Sequence, residues 1–278
     1  MRFQKYQALG NDYLVLETDG ERALIPSLIR RICNRHFGVG SDGILLESAP
    51  GPGARFGLRI LNPDGSEAEK SGNGLRIFAR FLWDEGRVTA EPFIVSTRGG
   101  DVTCQVRPGG QQVFVEMGKA SFDSARIPVA GPPREVVGEV LPMGNTSLRF
   151  TAVTVGNPHC VIHLDEVTPE LAQRLGPILE THPLFPNRTN AQFVKVLDRH
   201  RLQIEIWERG AGYTLASGSS SCAAAAASVR LGLCEREVTV SMPGGDLQIG
   251  VAADYALTML GPVQKVAEGV LAAELLSS

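Results

Sequence analysis

The chain has 278 residues, and 27 lysines and arginines against 30 aspartates and glutamates give a formal net charge of −3. Hydrophobic residues make up 43% and charged residues 21%, an ordinary globular composition that excludes wholesale disorder. The near-neutral charge offers no basic field for nucleic acid and no polybasic anchor for a membrane. No apolar run approaches the roughly 20 residues that span a bilayer, and the first residues lack the apolar core of a signal peptide. The sequence therefore predicts a cytoplasmic protein that binds neither nucleic acid nor membrane.

The cysteines argue against two kinds of structural cross-link. They are odd in number, widely spaced and form no CxxC pair, so a disulfide framework or a structural zinc site is not expected. We expect no metal. The five are Cys33, Cys104, Cys160, Cys222 and Cys234.

An internal repeat organises the chain. The segment 8–11 (ALGN) corresponds to 154–157 (TVGN) at an offset of 146 residues (157 − 11), and Ser71-Gly72 corresponds to Ser217-Gly218 at the same offset. The segment 95–102 (VSTRGGDV) corresponds to 240–247 (VSMPGGDL) at an offset of 145 (240 − 95). We interpret the chain as a duplicated domain with lobes 1–117 and 118–262. The tail 263–278 is expected to pack on the first lobe.

The predicted elements follow the same repeat in chain order. In the first half, apolar residues at helical spacing over 75–82 predict a helix, and alternating residues over 102–106 and 113–117 predict a hairpin. A proline-rich loop at 131–133 lies near the proposed boundary. In the second half, the small residues of 222–227 predict a helix, and 238–242 with 247–251 predict a second hairpin. We predict an α/β fold of two pseudo-symmetric lobes, each a strand-rich, barrel-like sheet around a central helix.

Each predicted central helix begins at a glycine- and serine-rich turn. A helix N-terminus leaves its first N–H groups unpaired and carries about half a positive charge, so 71–73 and 217–219 are candidate cradles for a carboxylate or phosphate. Ser71 and Ser217 are equally suited to simple N-capping. Because both turns share the repeat offset, a two-sided site between the halves is the interpretation that we favour. Neither turn is followed by the GKS or GKT of a Walker loop.

Amide and charged side chains supply groups that suit a zwitterionic amino acid. Each asparagine taken singly also suits a turn, and His159 suits either a proton carrier or a structural role. The residues are Asn11, Asn62, Asn157, Asn190 and the pair Glu208-Arg209.

At these residues the chain resembles the diaminopimelate epimerase family. The matching segments include ALGNDYLVLE (8–17), NPDGSEAEKSGNGLRIFARF (62–81), GNPHCV (156–161), NRTNAQFV (187–194) and ERGAGYTLASGSSSCAAAAA (208–227). The resemblance implies a two-lobed α/β fold, a homodimer, and a reaction of lysine and peptidoglycan biosynthesis without metal or pyridoxal phosphate. In that family two cysteines on opposite faces of diaminopimelate invert its α-carbon by proton transfer.

The resemblance also assigns roles to residues of this chain. Backbone N–H groups of Gly72, Asn73, Gly218 and Ser219 would hold the α-carboxylate, where negative charge develops on deprotonation. His159 and Glu208 correspond to residues beside the proton-transfer pair. The amino groups and the distal end of the substrate would be held by Asn11, Asn62, Asn157, Asn190, Glu208 and Arg209.

This chain departs from the family at the two reacting positions. Ser71 and Ser217 stand where the family has its cysteines. A thiol has a reference pKa of about 8.5 and a serine hydroxyl lies nearer water's ~15.7. The difference is on the order of 10 kcal/mol against forming the base, of which helix dipoles offset about 1–2 kcal/mol. We therefore expect a weakened or inactive epimerase.

Several explanations remain open at this point. The serines are either engineered replacements of the cysteines or fixed in a natural relative with a changed activity. Tyr213 stands where the family commonly has glutamate, which leaves the substrate open. The alternatives are a racemase, epimerase or dehydratase acting on a hydroxyproline-like or histidine-like amino acid, and a non-catalytic amino-acid-binding protein.

Overall fold

A computed structural model describes residues 1–17, 24–143 and 146–277 of the chain. The chain divides into two compact units. Unit 1 comprises Met1–Glu116 and Gly261–Ser278, and unit 2 comprises Met117–Leu260. The division predicted from the repeat lies one residue from the first bound and two residues from the second.

Unit 1 is built from strands that follow one another around its sheet. β18 pairs antiparallel with β1 and β1 with β2, β2 runs parallel to β3, and β3 pairs antiparallel with β4. β4 then runs parallel to β6, and β6, β7 and β8 form an antiparallel meander, while short β5 pairs with β4. The strands are β1 (Arg2–Ala8), β2 (Asn11–Glu17), β3 (Ile44–Ser48), β4 (Phe56–Leu61), β5 (Glu67–Ala68), β6 (Phe93–Thr97), β7 (Gly100–Val106), β8 (Gln112–Lys119) and β18 (Gln264–Val270), and the helices are α1 (Pro26–Cys33), α2 (Gly72–Asp84) and α5 (Ala273–Leu276).

Unit 2 repeats this order of pairings. β9, β10 and β11 are antiparallel, β11 runs parallel to β12, β12 pairs antiparallel with β13, and β13 runs parallel to β15. β15, β16 and β17 form the meander, and short β14 pairs with β13. The pseudo-symmetry predicted from the internal repeat is thereby confirmed. The elements are β9 (Glu139–Met143), β10 (Thr146–Thr154), β11 (Pro158–His163), β12 (Asn190–Asp198), β13 (Arg201–Glu208), β14 (Gly212–Thr214), β15 (Glu237–Met242), β16 (Gly245–Val251), β17 (Ala256–Pro262), α3 (Pro169–Glu180) and α4 (Gly218–Arg230).

One helix forms the centre of each unit. α2 packs against β1, β2 and β7, and α4 packs against β10 to β13, β15 and β16. On α2 the side chains of Leu75, Phe78 and Leu82 are fully buried, and on α4 the run 223–227 is fully buried. A central helix buries apolar side chains over most of its surface, and the polar ones it buries need hydrogen-bond partners. The two predicted central helices are therefore confirmed.

Both predicted hairpins are also present, whereas three further helices, α1, α3 and α5, were not predicted. Cys104 pairs with Val115 in the first hairpin and Val240 with Leu247 in the second. α3 begins at a Thr168 N-cap that accepts a hydrogen bond from Leu171 N, with proline at the first helical position. α1 also begins with a proline, at Pro26. Each unit thus has its predicted central helix, with peripheral helices in addition.

Candidate active site

In unit 1, Ser71 is the N-cap of α2. Its backbone is extended, with φ −141° and ψ 119°, and its Oγ accepts a hydrogen bond of 3.0 Å from Gly74 N. The helix therefore begins with Gly72 and Asn73, whose N–H groups precede the first possible intrahelical bond. The capping role that the sequence predicts for Ser71 is confirmed, and the role of this turn as an anion cradle stays a prediction.

The Asn73 side chain connects the start of α2 to the start of β2. Asn73 Nδ2 donates to Asn11 Oδ1 at 3.1 Å, and Asn11 Nδ2 donates to Asp42 Oδ2 at 2.9 Å. Arg76, which is fully buried one turn further along α2, donates to Asn73 Oδ1 at 2.9 Å and so orients the Asn73 amide. Two of the predicted binding residues, Asn11 and Asn73, are thus brought together by a direct hydrogen bond.

A cluster of charges lies behind Asn11 and supports it. Asp12 Oδ1 accepts from Arg35 at 2.6 Å, and Lys5 lies 2.8 Å from Asp12 Oδ2. Burial acts to raise the pKa of Asp12, but the hydrogen bonds from Arg35 and Lys5 hold that pKa below its ordinary value. Asp42 receives the second contact of Arg35 at 2.6 Å. Asp42 therefore contacts both the Arg35 guanidinium and the Asn11 amide, and it orients that amide.

Asn62 has a local partner. Its Nδ2 donates to Ser66 Oγ at 2.9 Å, and its backbone N donates to Ser66 O within the turn that joins β4 to β5. This is the turn role that the sequence allowed for a single asparagine. The assignment of Asn62 to substrate binding stays a prediction from the resemblance.

In unit 2, Ser217 occupies the equivalent N-cap of α4. Its Oγ accepts a hydrogen bond of 3.4 Å from Ser220 N and lies 3.5 Å from Ser219 Oγ. The Ser217 side chain is also hydrogen-bonded to the carboxyl group of Glu208, the last residue of β13. Burial raises the pKa of Glu208, and the hydrogen bond with Ser217 opposes that rise. Glu208 can therefore accept a proton more readily than an exposed glutamate.

His159 is fully buried and neutral at physiological pH. Burial lowers its pKa to about 3, against a smaller opposing effect of Gln192. Nε2 lies 2.8 Å from Asn157 Oδ1, which places the ring proton on Nε2 and leaves Nδ1 as an acceptor. Within the described residues, neither His159 Nδ1 nor Gln192 Oε1 has a hydrogen-bond partner. A half-turn of the Gln192 amide pairs both, because its NH₂ group then donates to Nδ1 and its oxygen accepts from Ser220.

Asn190 holds the backbone on both sides of this region. Its Nδ2 donates to Pro158 O at 2.7 Å, and its Oδ1 accepts from Arg209 N at 2.9 Å. Asn190 is the first residue of β12 and is buried, which corrects the loop position expected for it. The Arg209 guanidinium donates to Asn187 O at 3.1 Å and also acts on His159 by lowering its pKa. The predicted residues of unit 2 thus form one connected polar network.

Two residues of these networks escaped the sequence analysis. Glu180, at the end of α3, accepts from Gly210 N at 2.8 Å and from Trp207 Nε1 at 2.7 Å, and it pairs with Arg188. Tyr13 places its hydroxyl 3.4 Å from Ser71 Oγ. Its ring lies against Gly43, where a β-carbon would be 2.6 Å from Tyr13 Cε1, and no short-range sequence pattern indicates this contact.

The cysteines offer no thiol at either serine position. All five are buried and none forms a disulfide, and Cys222 lies within α4 with no exposed surface. Burial raises the pKa of Cys104 to about 12 and also raises the pKa of Cys33, Cys160 and Cys234. Across residues 1–17, 24–143 and 146–277, no cluster of three or more metal-binding side chains occurs. In the same ranges no helix is long and apolar enough to cross a membrane.

Comparison with solved structures defines the class of fold. A probable proline racemase from Agrobacterium radiobacter K84 superposes with a TM-score of 0.71 at 14% identity, covering 98% of this chain and 93% of that chain. A hydroxyproline epimerase from Agrobacterium vitis gives a TM-score of 0.71 at 15% identity, covering 98% and 92%. The chain therefore has the fold of these two structures.

Sequence comparison narrows the class to one family. The family profile described as diaminopimelate epimerase matches residues 3–123 and 151–266. Diaminopimelate epimerase 2 of Nostoc sp. is 56% identical over 276 residues, covering 99% of this chain and 97% of the relative. Diaminopimelate epimerase of Desulfitobacterium hafniense is 42% identical and covers both chains completely. The chain belongs to the diaminopimelate epimerase family of isomerases, which confirms the resemblance seen in its motifs.

Proposed function

We propose that the protein interconverts LL- and meso-diaminopimelate by moving the proton of one α-carbon. The observation that carries this proposal is that Ser71 and Ser217, which replace the two reacting cysteines of the resemblance, cap the buried central helices of the two units. The family membership and the 56% identity to a relative named diaminopimelate epimerase 2 support the choice of substrate.

The helix starts supply the electrophilic part of the reaction. Gly72 and Asn73 in unit 1, and Gly218 and Ser219 in unit 2, are the first residues of their helices and carry N–H groups directed away from the helix. Removing the α-proton sends negative charge into the substrate carboxylate. Donors that are already oriented stabilise this charge without reorganisation, which makes them more effective in the transition state than in the ground state.

The polar network of unit 2 supplies the groups for the amino-acid ends. Arg209 carries the positive charge for a distal carboxylate, and its planar guanidinium favours a two-point contact. Asn157, Asn190 and Glu208 supply oxygens for an ammonium group. Because Asn190 holds the Arg209 backbone at 2.9 Å, loss of its amide is expected to weaken substrate binding.

The serines are expected to make the protein slow compared with a cysteine form. A serine hydroxyl must give its own proton to a base before or while it accepts the proton from the α-carbon. At Ser217 that base is Glu208, whose raised pKa improves its ability to take the proton. His159 is poorly suited to the same task, because its pKa of about 3 makes the buried imidazole a weak base.

The test is loss of the α-proton signal of LL- and meso-diaminopimelate in deuterated buffer, followed by proton NMR. The Ser71→Cys/Ser217→Cys variant is expected to exchange the proton far faster than the parent protein. Ser147→Cys, on the exposed part of β10, controls for the mere addition of a thiol and is expected to leave the rate unchanged. Silence of both the parent and the double variant, with both folded, would contradict the proposal.

Calorimetry distinguishes the remaining alternatives. Binding of a proline or histidine derivative in preference to diaminopimelate would move the assignment to another amino acid, for which Tyr213 is the observed departure. Binding of diaminopimelate without exchange in any variant would leave an amino-acid-binding protein. The homodimer and the cytoplasmic location stay predictions, and sedimentation velocity tests the first of them.

A further inference from the structure

Tyr13 is the ionisable side chain that contacts Ser71. Its hydroxyl oxygen lies 3.4 Å from Ser71 Oγ, a distance at which either hydroxyl can donate. Tyr13 is 7% exposed and lies on β2, two residues after Asn11, so strand alternation places both side chains on one face. Asn11 is itself bonded to Asn73 of the same helix start. The phenol therefore reaches the N-cap from the same face as the predicted substrate-binding amides.

Gly43 makes room for the Tyr13 ring. A β-carbon built on Gly43 would lie 2.6 Å from Tyr13 Cε1 and 2.7 Å from Leu61 O. A β-carbon does not approach other non-bonded heavy atoms this closely, so any side chain at position 43 would displace the ring. Leu14 N also donates to Gly43 O at 3.1 Å, which ties the two strands together at this point. The Tyr13 ring can therefore occupy its position beside Ser71 only because residue 43 is a glycine.

We propose that Tyr13 is the proton-accepting partner of Ser71, so that phenol and hydroxyl together act as the acid–base pair of unit 1. This inference rests on the proposed function and deepens it. In the forward direction the α-carbon–hydrogen bond breaks, and its proton passes to Ser71 Oγ. The Ser71 proton passes at the same time to the Tyr13 phenolate, and the electron pair stays on the α-carbon and its carboxylate. In the reverse direction the Tyr13 phenol returns its proton through Ser71.

The phenol changes the comparison between serine and cysteine. The reference pKa of a phenol is about 10, compared with about 8.5 for a thiol, so a phenol forms roughly 30-fold less of its base at neutral pH than a thiol does. A serine hydroxyl alone has a pKa near ~15.7, so it forms about seven powers of ten less of its alkoxide than a thiol forms of its thiolate. Tyr13 would therefore supply most of the basicity that the loss of a thiol at position 71 removes.

Charged and titratable groups surround Tyr13 on the elements packed against it. The cross-strand partner Tyr6 on β1 is fully buried, and its hydroxyl donates to Asp84 at 2.9 Å. Asp12 precedes Tyr13 on β2, and both Asp12 and Asp42 are paired with Arg35. α2 contributes the buried Arg76, which donates to Asn73 Oδ1 at 2.9 Å.

The experiment compares the parent with Tyr13→Phe in the deuterium-exchange assay from pH 6 to pH 10. We expect the parent rate to rise with pH as the phenol ionises, and Tyr13→Phe to lose this rise and on the order of 10²-fold in rate at high pH. Tyr255→Phe is the matched control, since Tyr255 packs on Phe122 in unit 2. In a Ser71→Cys background the thiol supplies its own base, and the effect of Tyr13→Phe should nearly vanish.

The outcomes separate this inference from the proposed function. Equal rates and pH profiles for the parent and Tyr13→Phe would overturn the role of Tyr13 and leave the epimerase proposal intact. A silent parent beside an active Ser71→Cys/Ser217→Cys variant would also overturn it, because Tyr13 would then not make Ser71 competent. Silence of every variant would contradict the proposed function and the role of Tyr13 with it.

A second readout does not depend on turnover. The chain has four tyrosines, so the ¹³Cζ resonance of Tyr13 can be assigned by its loss in Tyr13→Phe. If the two hydroxyls are hydrogen-bonded, Ser71→Ala should change the pH at which this resonance titrates, while Ser66→Ala should not. If the Tyr13 resonance titrates at the same pH in Ser71→Ala as in the parent, the proposed pairing of Tyr13 with Ser71 is contradicted.

Discussion

The hydroxyl of Tyr213 donates a hydrogen bond of 2.7 Å to Glu205 Oε2, across the ladder between β14 and β13. Glu205 is only 4% exposed and lies three residues before Glu208 on the same strand. Burial raises the pKa of Glu205, and the hydrogen bond from Tyr213 counteracts part of this rise. The tyrosine hydroxyl thus supplies a hydrogen-bond donor to a buried carboxylate.

The first prediction concerns the stability of this pair. Tyr213→Phe should lower the free energy of unfolding by about 1–3 kcal/mol, because it leaves Glu205 without a donor. A carboxyl group whose folded pKa is raised contributes stability below its unfolded pKa and loses it as pH rises through the folded value. The variant should therefore be destabilised more at pH 7 than at pH 5 in urea titrations. In a Glu205→Gln background this pH dependence should disappear, and its persistence there would contradict the assignment.

The second prediction concerns Glu180 as a positioning residue for the loop after β13. Glu180→Gln should lower the unfolding free energy by about 2–3 kcal/mol, since the carboxylate serves Arg188, Trp207 and Gly210 together. Gly210 follows Arg209, so KM for diaminopimelate should rise more than kcat falls. Glu166→Gln is the control, because that carboxylate is 81% exposed and its pair with Lys195 should matter little. A KM unchanged by Glu180→Gln would show that Glu180 only stabilises the fold.

The third prediction concerns acid sensitivity at His159. A histidine whose folded pKa is lowered contributes stability above its unfolded pKa, about 6.5, and loses it as pH falls toward the folded value of about 3. The unfolding free energy should therefore fall between pH 6.5 and pH 4, and His159→Gln should flatten this fall. His163, with a pKa lowered by burial to about 4, accounts for part of the remaining slope. Equal slopes for the parent and His159→Gln would be inconsistent with a neutral buried ring.

The fourth prediction concerns the opposite effects of one substitution on stability and on rate. Glu208→Gln should slow α-proton exchange on the order of 10²-fold by removing the group that takes the Ser217 proton. The same change should raise stability at neutral pH, because a carboxyl group with a raised pKa is unfavourable when ionised. Chemical denaturation and the NMR exchange assay measure the two effects on one sample. Glu237→Gln, exposed on β15, should change neither. A slower and less stable Glu208→Gln protein would argue for a purely structural role.

Much of the architecture could be predicted because its signals are local. The N-caps at Ser71 and Ser217 follow from a small polar residue before a helical pattern, and the hairpins follow from alternation around a turn. The repeat supplied the pseudo-symmetry of the two units. The helix α3 was missed although Thr168-Pro169 is a start signal and its apolar residues recur at helical spacing; the proline inside it, Pro177, is a residue that ordinarily ends a helix.

The contacts that complete the candidate site could not be predicted from local pattern. Tyr13 and Ser71 are 58 residues apart, and Glu180 and Gly210 are 30 residues apart. Each pair depends on how a strand packs on a helix or how a helix end meets a loop, and no short-range periodicity encodes that distance. The burial of His159 and Glu208 could not be predicted from the sequence either. It makes His159 neutral and raises the pKa of Glu208, and neither shift can be derived from the residue type.

The two central helices impose opposite limits on sequence change. On α4 the residues Ala223 to Ala227 are all fully buried, so the helix fills its part of the core with methyl groups. Enlarging any of these alanines overpacks unit 2, whereas α2, filled by residues such as Phe78 and Leu82, is damaged chiefly by shrinking its side chains. A core substitution that one central helix tolerates is therefore not tolerated at the equivalent position of the other. The α4 core is restricted to small side chains, and the α2 core is restricted to large ones.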